Sequence, residues 1–208
     1  MLPIIMKRKN SNMPKELNEM TIEELWELFP IILTKPNRNW SKQFSLEKEL
    51  LKTKLASFKI KLISHVGSTA IPNIWAKPIV DILIEIDQEE DMNSVAQAII
   101  SSGYIKMSES PNRISFNKGY TKFGFAEQVF HLHLRYSDDN DELYFRDYLI
   151  AHPDVAKQYE QFKLSLWHEY EHDRDGYTKA KTDFIQKYTK WLKCRKYMRV
   201  YEARDEFK

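Results

Sequence analysis

The sequence holds a single cysteine, Cys194, among 208 residues, which excludes an internal disulfide and any cysteine-based zinc cluster. A chain of that kind suits a reducing compartment, and a cytoplasmic location is expected. Five glycines leave room for few tight turns and point to fairly long elements. No long hydrophobic run is present: the longest stretch free of Asp, Glu, Lys and Arg runs from Leu62 to Ala76, too short and too polar to span a bilayer. The opening residues MLPIIMKRKN place their charges after the apolar run, the reverse of a signal peptide. The lysines and arginines number 32 against 30 acidic residues, a net charge of +2, so no one-signed field exists to coat nucleic acid or membrane. The P-loop pattern GxxxxGK[ST] and the GxSxG nucleophile elbow are both missing, which argues against a P-loop kinase and a serine hydrolase.

What is there suffices for one core. Hydrophobic residues make up 42% and aromatics 13%, too much for a disordered chain and right for one domain. Residues 1–20 carry little apolar pattern and read as a loose arm, residues 21–195 as the domain, and 196–208 as a charged extension. Thr21-Ile22-Glu23-Glu24 has the capping-box form and opens a helix that Pro30 helps to end. Ile31-Ile32-Leu33 reads as a short strand, and Ser41 starts a helix with Phe44, Leu51 and Leu55 on its apolar face, Leu46 and Leu50 beside it. Lys59–Val66 and Ile79–Ile86 read as strands, the second apolar almost throughout, as in a central strand. Met92, Val95, Ala96 and Ile99 form a helical stripe that stops at Gly103. Tyr104–Met107, Arg113–Asn117, Tyr120–Phe125 and Gln128–Arg135 are further strands, with Lys118-Gly119 as a hairpin turn. The remainder is helical, broken at His152-Pro153 and again near Asp173-Arg174-Asp175-Gly176. The order predicts an α+β fold, a mixed β-sheet with flanking helices and a helical C-terminal tail.

Two segments carry the chemistry. In His65-Val66-Gly67-Ser68-Thr69 a strand runs into a Gly-Ser turn, and Lys77 and Asp81 follow on the way into the next strand. Glycine lets a backbone approach a phosphate closely, hydroxyls and N–H groups donate to its oxygens, and lysine neutralises it. Asp81 is a candidate oxygen ligand for Mg²⁺, whereas Glu85, farther along the same face, reads as a strand-end or surface carboxylate. The same residues also suit a plain tight turn with a capping serine. The second segment, His131-Leu132-His133-Leu134-Arg135, puts two imidazoles and a guanidinium on one strand face. They suit a metal or a phosphate, and equally two satisfied histidines on a half-buried strand. His152, His168 and His172 read as structural or solvated. From Tyr177 to Arg199 the last helix carries eight Lys/Arg and one acid, Asp183, which fits either an RNA contact or a solvated helix face.

The segment HVGSTAIPNIWAKPIVDIL (His65–Leu83) resembles the signature of the GrpB family, a domain also found fused to dephospho-CoA kinase. The similarity continues in HLHLR, in FRDYLIAHPDVAKQYEQFK (Phe145–Lys163), in GYTKAKTDFI (Gly176–Ile185), and upstream in EELWELFPIIL and Trp40, covering Thr21 to Leu192. The resemblance implies a nucleotidyltransferase-like mixed sheet. In active members of that superfamily the Gly-Ser turn holds a nucleoside triphosphate, and three carboxylates, two of them spaced Asp-x-Asp, bind two Mg²⁺ ions. Gly67 and Ser68 match the turn and Asp81 the first acid, but Leu83 stands in the place of the second. His131 and His133, with Glu127 earlier, occupy the strand of the third. One divalent metal, Mg²⁺, Mn²⁺ or the softer Zn²⁺, on Asp81, His131 and His133 is the corresponding expectation, with those three residues as the catalytic group. His65, Gly67, Ser68, Thr69, Lys77 and Arg135 would bind the nucleotide or phosphate, and Lys163, Tyr177 and Lys181 would reach over the pocket from the helical tail. The function so implied is binding of a nucleotide or phosphorylated small molecule, with metal-dependent nucleotidyl or phosphoryl transfer as one outcome. A non-catalytic module that has lost the transferase carboxylates is the other.

Overall fold

The run Val80–Ile86, branched and apolar at five of its seven positions and buried at all but Asp81, forms β2 near the middle of the sheet. The computed structural model describes residues 14–137, 139 and 141–205, with side chains through Thr189. Its five strands are β1 (Ile60–Val66), β2, β3 (Ile105–Ser110), β4 (Arg113–Thr121) and β5 (Gly124–Tyr136), in the order β1-β2-β5-β4-β3. β2 and β5 are parallel and the other three pairings antiparallel, so the sheet is mixed as expected. The helices are α1 (Ile22–Leu28), α2 (Asn39–Lys54), α3 (Met92–Ile100), α4 (Asp141–Ala151), α5 (Pro153–Trp167) and α6 (Arg174–Asp205).

Strand parity splits the sheet into an apolar and a polar face. Ile82, Ile84 and Ile86 of β2, with Leu132 and Leu134 of β5, pack against Leu51 of α2 and Val95 and Ile99 of α3 in the main core. The alternate residues Asp81 and Leu83 stand beside His131 and His133 in register, on the face toward α4–α6. A second core joins Ile71 and Ile74 to Phe145, Leu149 and Tyr159, with Phe184 of α6 against it. These helices therefore roof the polar face because their own apolar stripes close on one another.

Several expectations change here. The Ile31–Leu33 segment forms no strand; only an isolated bridge, Thr34 to Ala76, occurs there. Lys118-Gly119 is not the hairpin turn: β4 continues through it with a register shift, and the turn falls at Thr121–Gly124. A Cβ on Gly119 would lie 2.2 Å from the Gln128 carbonyl oxygen at φ +91°, so the glycine serves a bulge, where backbone comes close. Asp173-Arg174-Asp175-Gly176 opens α6 rather than closing α5, because Asp173 Oδ1 accepts from the Gly176 N–H at 2.8 Å, an N-cap arrangement. Leu46 and Leu50 face solvent. Glu85 is buried, 7% exposed, since the end of a central strand is still interior. Of the arm, residues 1–13 lie outside the described residues. Leu17–Glu19 form a helical turn, and Glu16 pairs with Lys122 at 2.5 Å. The α6 backbone continues unbroken past the boundary drawn at 196.

The α2 face also hides a polar group. Glu47 is 7% exposed, accepts from Tyr104 Oη at 3.0 Å and pairs with Lys118 Nζ at 2.7 Å, tying the helix to the far strands. Glu47→Ala leaves both donors without their acceptor and is expected to cost about 1–3 kcal/mol. A lower urea midpoint at unchanged denaturant slope checks it.

Candidate functional site

β1 ends at Val66, which pairs with Asp81, and the chain turns at Gly67 with φ 70° and ψ −173°. Only glycine adopts that backbone readily, and only glycine leaves room: a Cβ there would fall 2.1 Å from Asp81 Oδ2. Ser68–Ala70 follow as a single 3-10 turn. The carboxylate of Asp81 thus lies against the bare backbone of the turn. Its Oδ1 is 3.4 Å from His131 Nδ1 and 3.8 Å from His133 Nε2.

A polar chain leads away from that carboxylate. His131 Nε2 is 2.8 Å from the Tyr120 hydroxyl, and Arg174 Nη2 donates to the same hydroxyl at 2.8 Å. With Arg174 donating, the Tyr120 O–H is left to donate to Nε2, and Nδ1–H faces Asp81. That arrangement requires a neutral imidazole. Burial depresses the His131 pKa, and Asp81 only partly opposes it. Burial also works to raise Asp81, but the hydrogen bonds of His131 and His133 outweigh it and hold the carboxyl well below the usual range.

Above the turn lies a cavity of about 510 Å³, the size of small-molecule sites. Gly67, Ser68, Thr69, Lys77, Asp81, His131, His133, Lys163, Tyr177 and Lys181 all line it, so ten of the residues singled out from the sequence meet there. Lys77 and Lys181 lie over the Tyr177 ring, 4.9 and 4.3 Å from its centroid. Burial, with Lys181 and Arg174 beside it, pushes Lys77 down to about 7. Burial and Lys181 bring Lys163 to about 7, and burial brings Lys181 to about 8. The Tyr177 hydroxyl and His133 Nδ1 are buried without a hydrogen-bond partner, which is uncommon and marks polar capacity available to a ligand.

Two candidates are placed elsewhere. Arg135 is 5% exposed and is held by Glu142 at 3.2 Å and the Leu134 carbonyl at 3.1 Å, outside the cavity lining. His65 backs the turn instead of lining the cavity. Thr69 Oγ1 donates to the Ile79 carbonyl at 3.0 Å, so His65 Nε2–H donates to Thr69 at 2.9 Å. Burial takes His65 down to about 4 against the pull of Asp81, with Arg146 adding to the fall.

Tyr159 and Arg174 line the cavity without having been singled out, as do Asp141, Glu142 and Asp175. Tyr159 carries no local mark of a site, and Arg174 falls in the segment read as a break between helices. Lys163 has a second duty: its Nζ donates to the Trp75 carbonyl at 2.5 Å, while Glu160 accepts from the Trp75 N–H at 2.6 Å. α5 thereby fixes the loop between the turn and β2.

The metal expectation does not fit these residues. Both nitrogens of His131 are already engaged, Leu83 offers no oxygen, and among the described residues no group of three His, Cys, Asp or Glu side chains is arranged to hold an ion.

A mixed sheet with a Gly-Ser turn after its first strand, an acid on the next and a cavity above them lined by three lysines defines the class, an α+β protein with its candidate site on the polar face of the sheet. The GrpB protein family model matches residues 30–191, and the chain belongs to that family. It is 35% identical over 162 residues to the glutamate-rich protein GrpB of Alkalihalophilus pseudofirmus, covering 74% of this chain and 91% of that one. It is 37% identical over 149 residues to the UPF0157 protein PA4798 of Pseudomonas aeruginosa, covering 70% of this chain but only 61% of the relative. The crystal structure of the conserved protein GrpB from Enterococcus faecalis superposes with a TM-score of 0.68 at 28% identity, over 80% of this chain and 99% of that one. No helix among the described residues is long and apolar enough to cross a membrane.

Proposed function

We propose that the cavity binds a nucleotide or another phosphorylated small molecule, with its phosphates between the Gly67-Ser68-Thr69 turn and the lysines. The observation that carries this is the crowding of Lys77, Lys163 and Lys181, with Arg174, around one buried space. Like charges gathered out of water repel one another and lose hydration. A polyanion relieves both penalties, so the cluster is better matched to a phosphorylated ligand than to an empty pocket. The Gly67-Ser68 turn supports the reading by lining the same cavity as the lysines, while the space left by the missing Gly67 side chain is taken by the Asp81 carboxylate.

Binding stands ahead of transfer. Leu83, fully buried, occupies the place where the resemblance implies a second metal-binding carboxylate, and His131 is spent on Tyr120 and Asp81. These observations favour a module that keeps the pocket and senses or carries its ligand. The RNA contact gains less support, since Lys181 turns into the cavity and Lys187 lies over Tyr188 at 5.4 Å; side chains beyond Thr189 lie outside the described residues.

A thermal-shift screen of the full chain with ATP, AMP and inorganic tripolyphosphate, each with and without EDTA, tests this. A ligand at 100 times its Kd adds about 2.7 kcal/mol, several degrees in a chain of this size. The expected shift is insensitive to EDTA and is lost in Lys181→Gln. No shift with any of the three anions would overturn the reading.

A further inference from the structure

A second cavity of about 1110 Å³ adjoins the first and has the opposite character. Its walls are Trp26 and Phe29 from the α1 side, Ile105 and Met107 of β3, and Phe123 at the β4–β5 turn. Arg174 and Asp175 line both cavities. Tyr120, which borders the second, is stacked on His131 of the first, with ring centroids 5.9 Å apart and 16° between planes. Tyr120 is also packed on Phe29 at 4.8 Å. The two spaces thus meet at one pair of residues on the first turn of α6.

The apolar wall is open. Met107 is 58% and Phe123 75% exposed, although both belong to a concave surface where exposed apolar area marks a binding site. Lys106 and Lys122 at the rim are paired with Glu109 and Glu16, each at 2.5 Å, so the lysine charges of this lobe are compensated. A ligand that is charged at one end and planar and apolar at the other would match the pair. Phosphates satisfy the lysines, an aromatic ring meets Trp26 and Phe123, and the planar guanidinium of Arg174 suits the junction, able to contact an anion or a π face.

We infer that this second cavity receives the planar aromatic group of the same ligand whose phosphates occupy the lysine-lined cavity. The inference rests on the phosphate reading above and deepens it. It makes the preferred ligand an aromatic phosphate compound, a nucleotide rather than a sugar phosphate or a free polyphosphate.

The test compares ATP with inorganic tripolyphosphate by titration calorimetry on the wild type and on a Met107→Ser/Phe123→Ser double variant. Both positions are solvent-exposed, so the variant keeps its fold, and an unchanged melting temperature without ligand verifies this. In the wild type ATP is expected to bind at least about tenfold more tightly than tripolyphosphate. In the double variant that preference disappears while tripolyphosphate affinity stays the same. An ATP preference that survives the double substitution, or its absence from the wild type, overturns the second cavity as a subsite. Failure of tripolyphosphate itself to bind in either protein would instead overturn the phosphate reading, and this inference with it. Leu46→Ser, on an exposed helix face outside both cavities, serves as the control that changes neither affinity.

Discussion

Gly67→Ala is expected to remove phosphate binding and to lower the melting temperature by several degrees. Two independent penalties act at this position. A backbone at φ 70° and ψ −173° is nearly restricted to glycine, and an alanine held there costs about 1–3 kcal/mol. The added methyl would also lie 2.1 Å from Asp81 Oδ2 and 2.8 Å from its Cγ, closer than any real contact. Either the turn or the carboxylate must move, and the carboxylate is held between His131 and His133. The turn is therefore the part displaced, carrying Ser68 and Thr69 away from the lysines. Gly103→Ala separates the two penalties. It has a comparable φ of +89°, but a Cβ there would meet only the end of Lys118 at 3.9 Å. Its expected cost is the backbone penalty alone, with the tripolyphosphate-induced thermal shift unchanged. A Gly67→Ala protein that still shows the full shift would refute the assignment of this turn to phosphate.

Raising the pH from 7 to 9.5 is expected to stabilise the ligand-free protein while weakening its hold on phosphate. Lys77, Lys163 and Lys181 are depressed from an ordinary 10.5 to about 7, 7 and 8. Between those values and 10.5 the unfolded chain binds more protons than the folded one, so stability increases with pH in that window. The contribution is complete above about 10.5 and is lost progressively as the pH falls toward 7. His65, depressed to about 4, acts in the same sense below its ordinary 6.5. Phosphate reverses the balance: it favours the charged lysines, so its binding takes up protons near pH 8 and weakens as the lysines become neutral. The measurement is a melting series in tripolyphosphate and in its absence from pH 6.5 to 9.5. Converging curves with rising pH are the expected result. Calorimetry in buffers of different ionisation enthalpy should show proton uptake at pH 8. Parallel curves across the range would remove the lysine cluster as the phosphate-binding element.

How much of this was legible in the sequence varies from residue to residue. The Gly67 turn, Asp81 and the His131/His133 face follow from local pattern, since glycine marks a special backbone and strand alternation places i and i+2 together. Lys163, Tyr177 and Lys181 were reached through the family resemblance, and they do line the cavity. Arg135 and His65 show the limit of parity. Each has the right side of a strand or the right neighbourhood, yet Arg135 is spent on Glu142 and His65 on Thr69. Strand parity names neither partner, because Thr69 lies in the turn after β1 and Glu142 on α4. Tyr120 and Arg174 are the converse case: neither carries a local mark, and their importance comes from the hydrogen bonds that connect them to His131.

Gly119 and Asp173 show why boundaries were harder. Lys118-Gly119 has hairpin chemistry, but the pairing of β4 with β5 continues past it, so the glycine makes a bulge. Asp-Arg-Asp-Gly can close one helix or open the next, and only the bond from Gly176 N–H to Asp173 decides between them. The α+β class, the central apolar strand, the Gly-Ser turn and the family were determined by the sequence alone, because they depend on composition, periodicity and ordered motifs. The lysine crowding, the engagement of both His131 nitrogens and the junction of two cavities at Arg174 were decided only by tertiary structure. Each depends on distances between residues far apart in the chain, and those distances are set by how the helices close over the sheet.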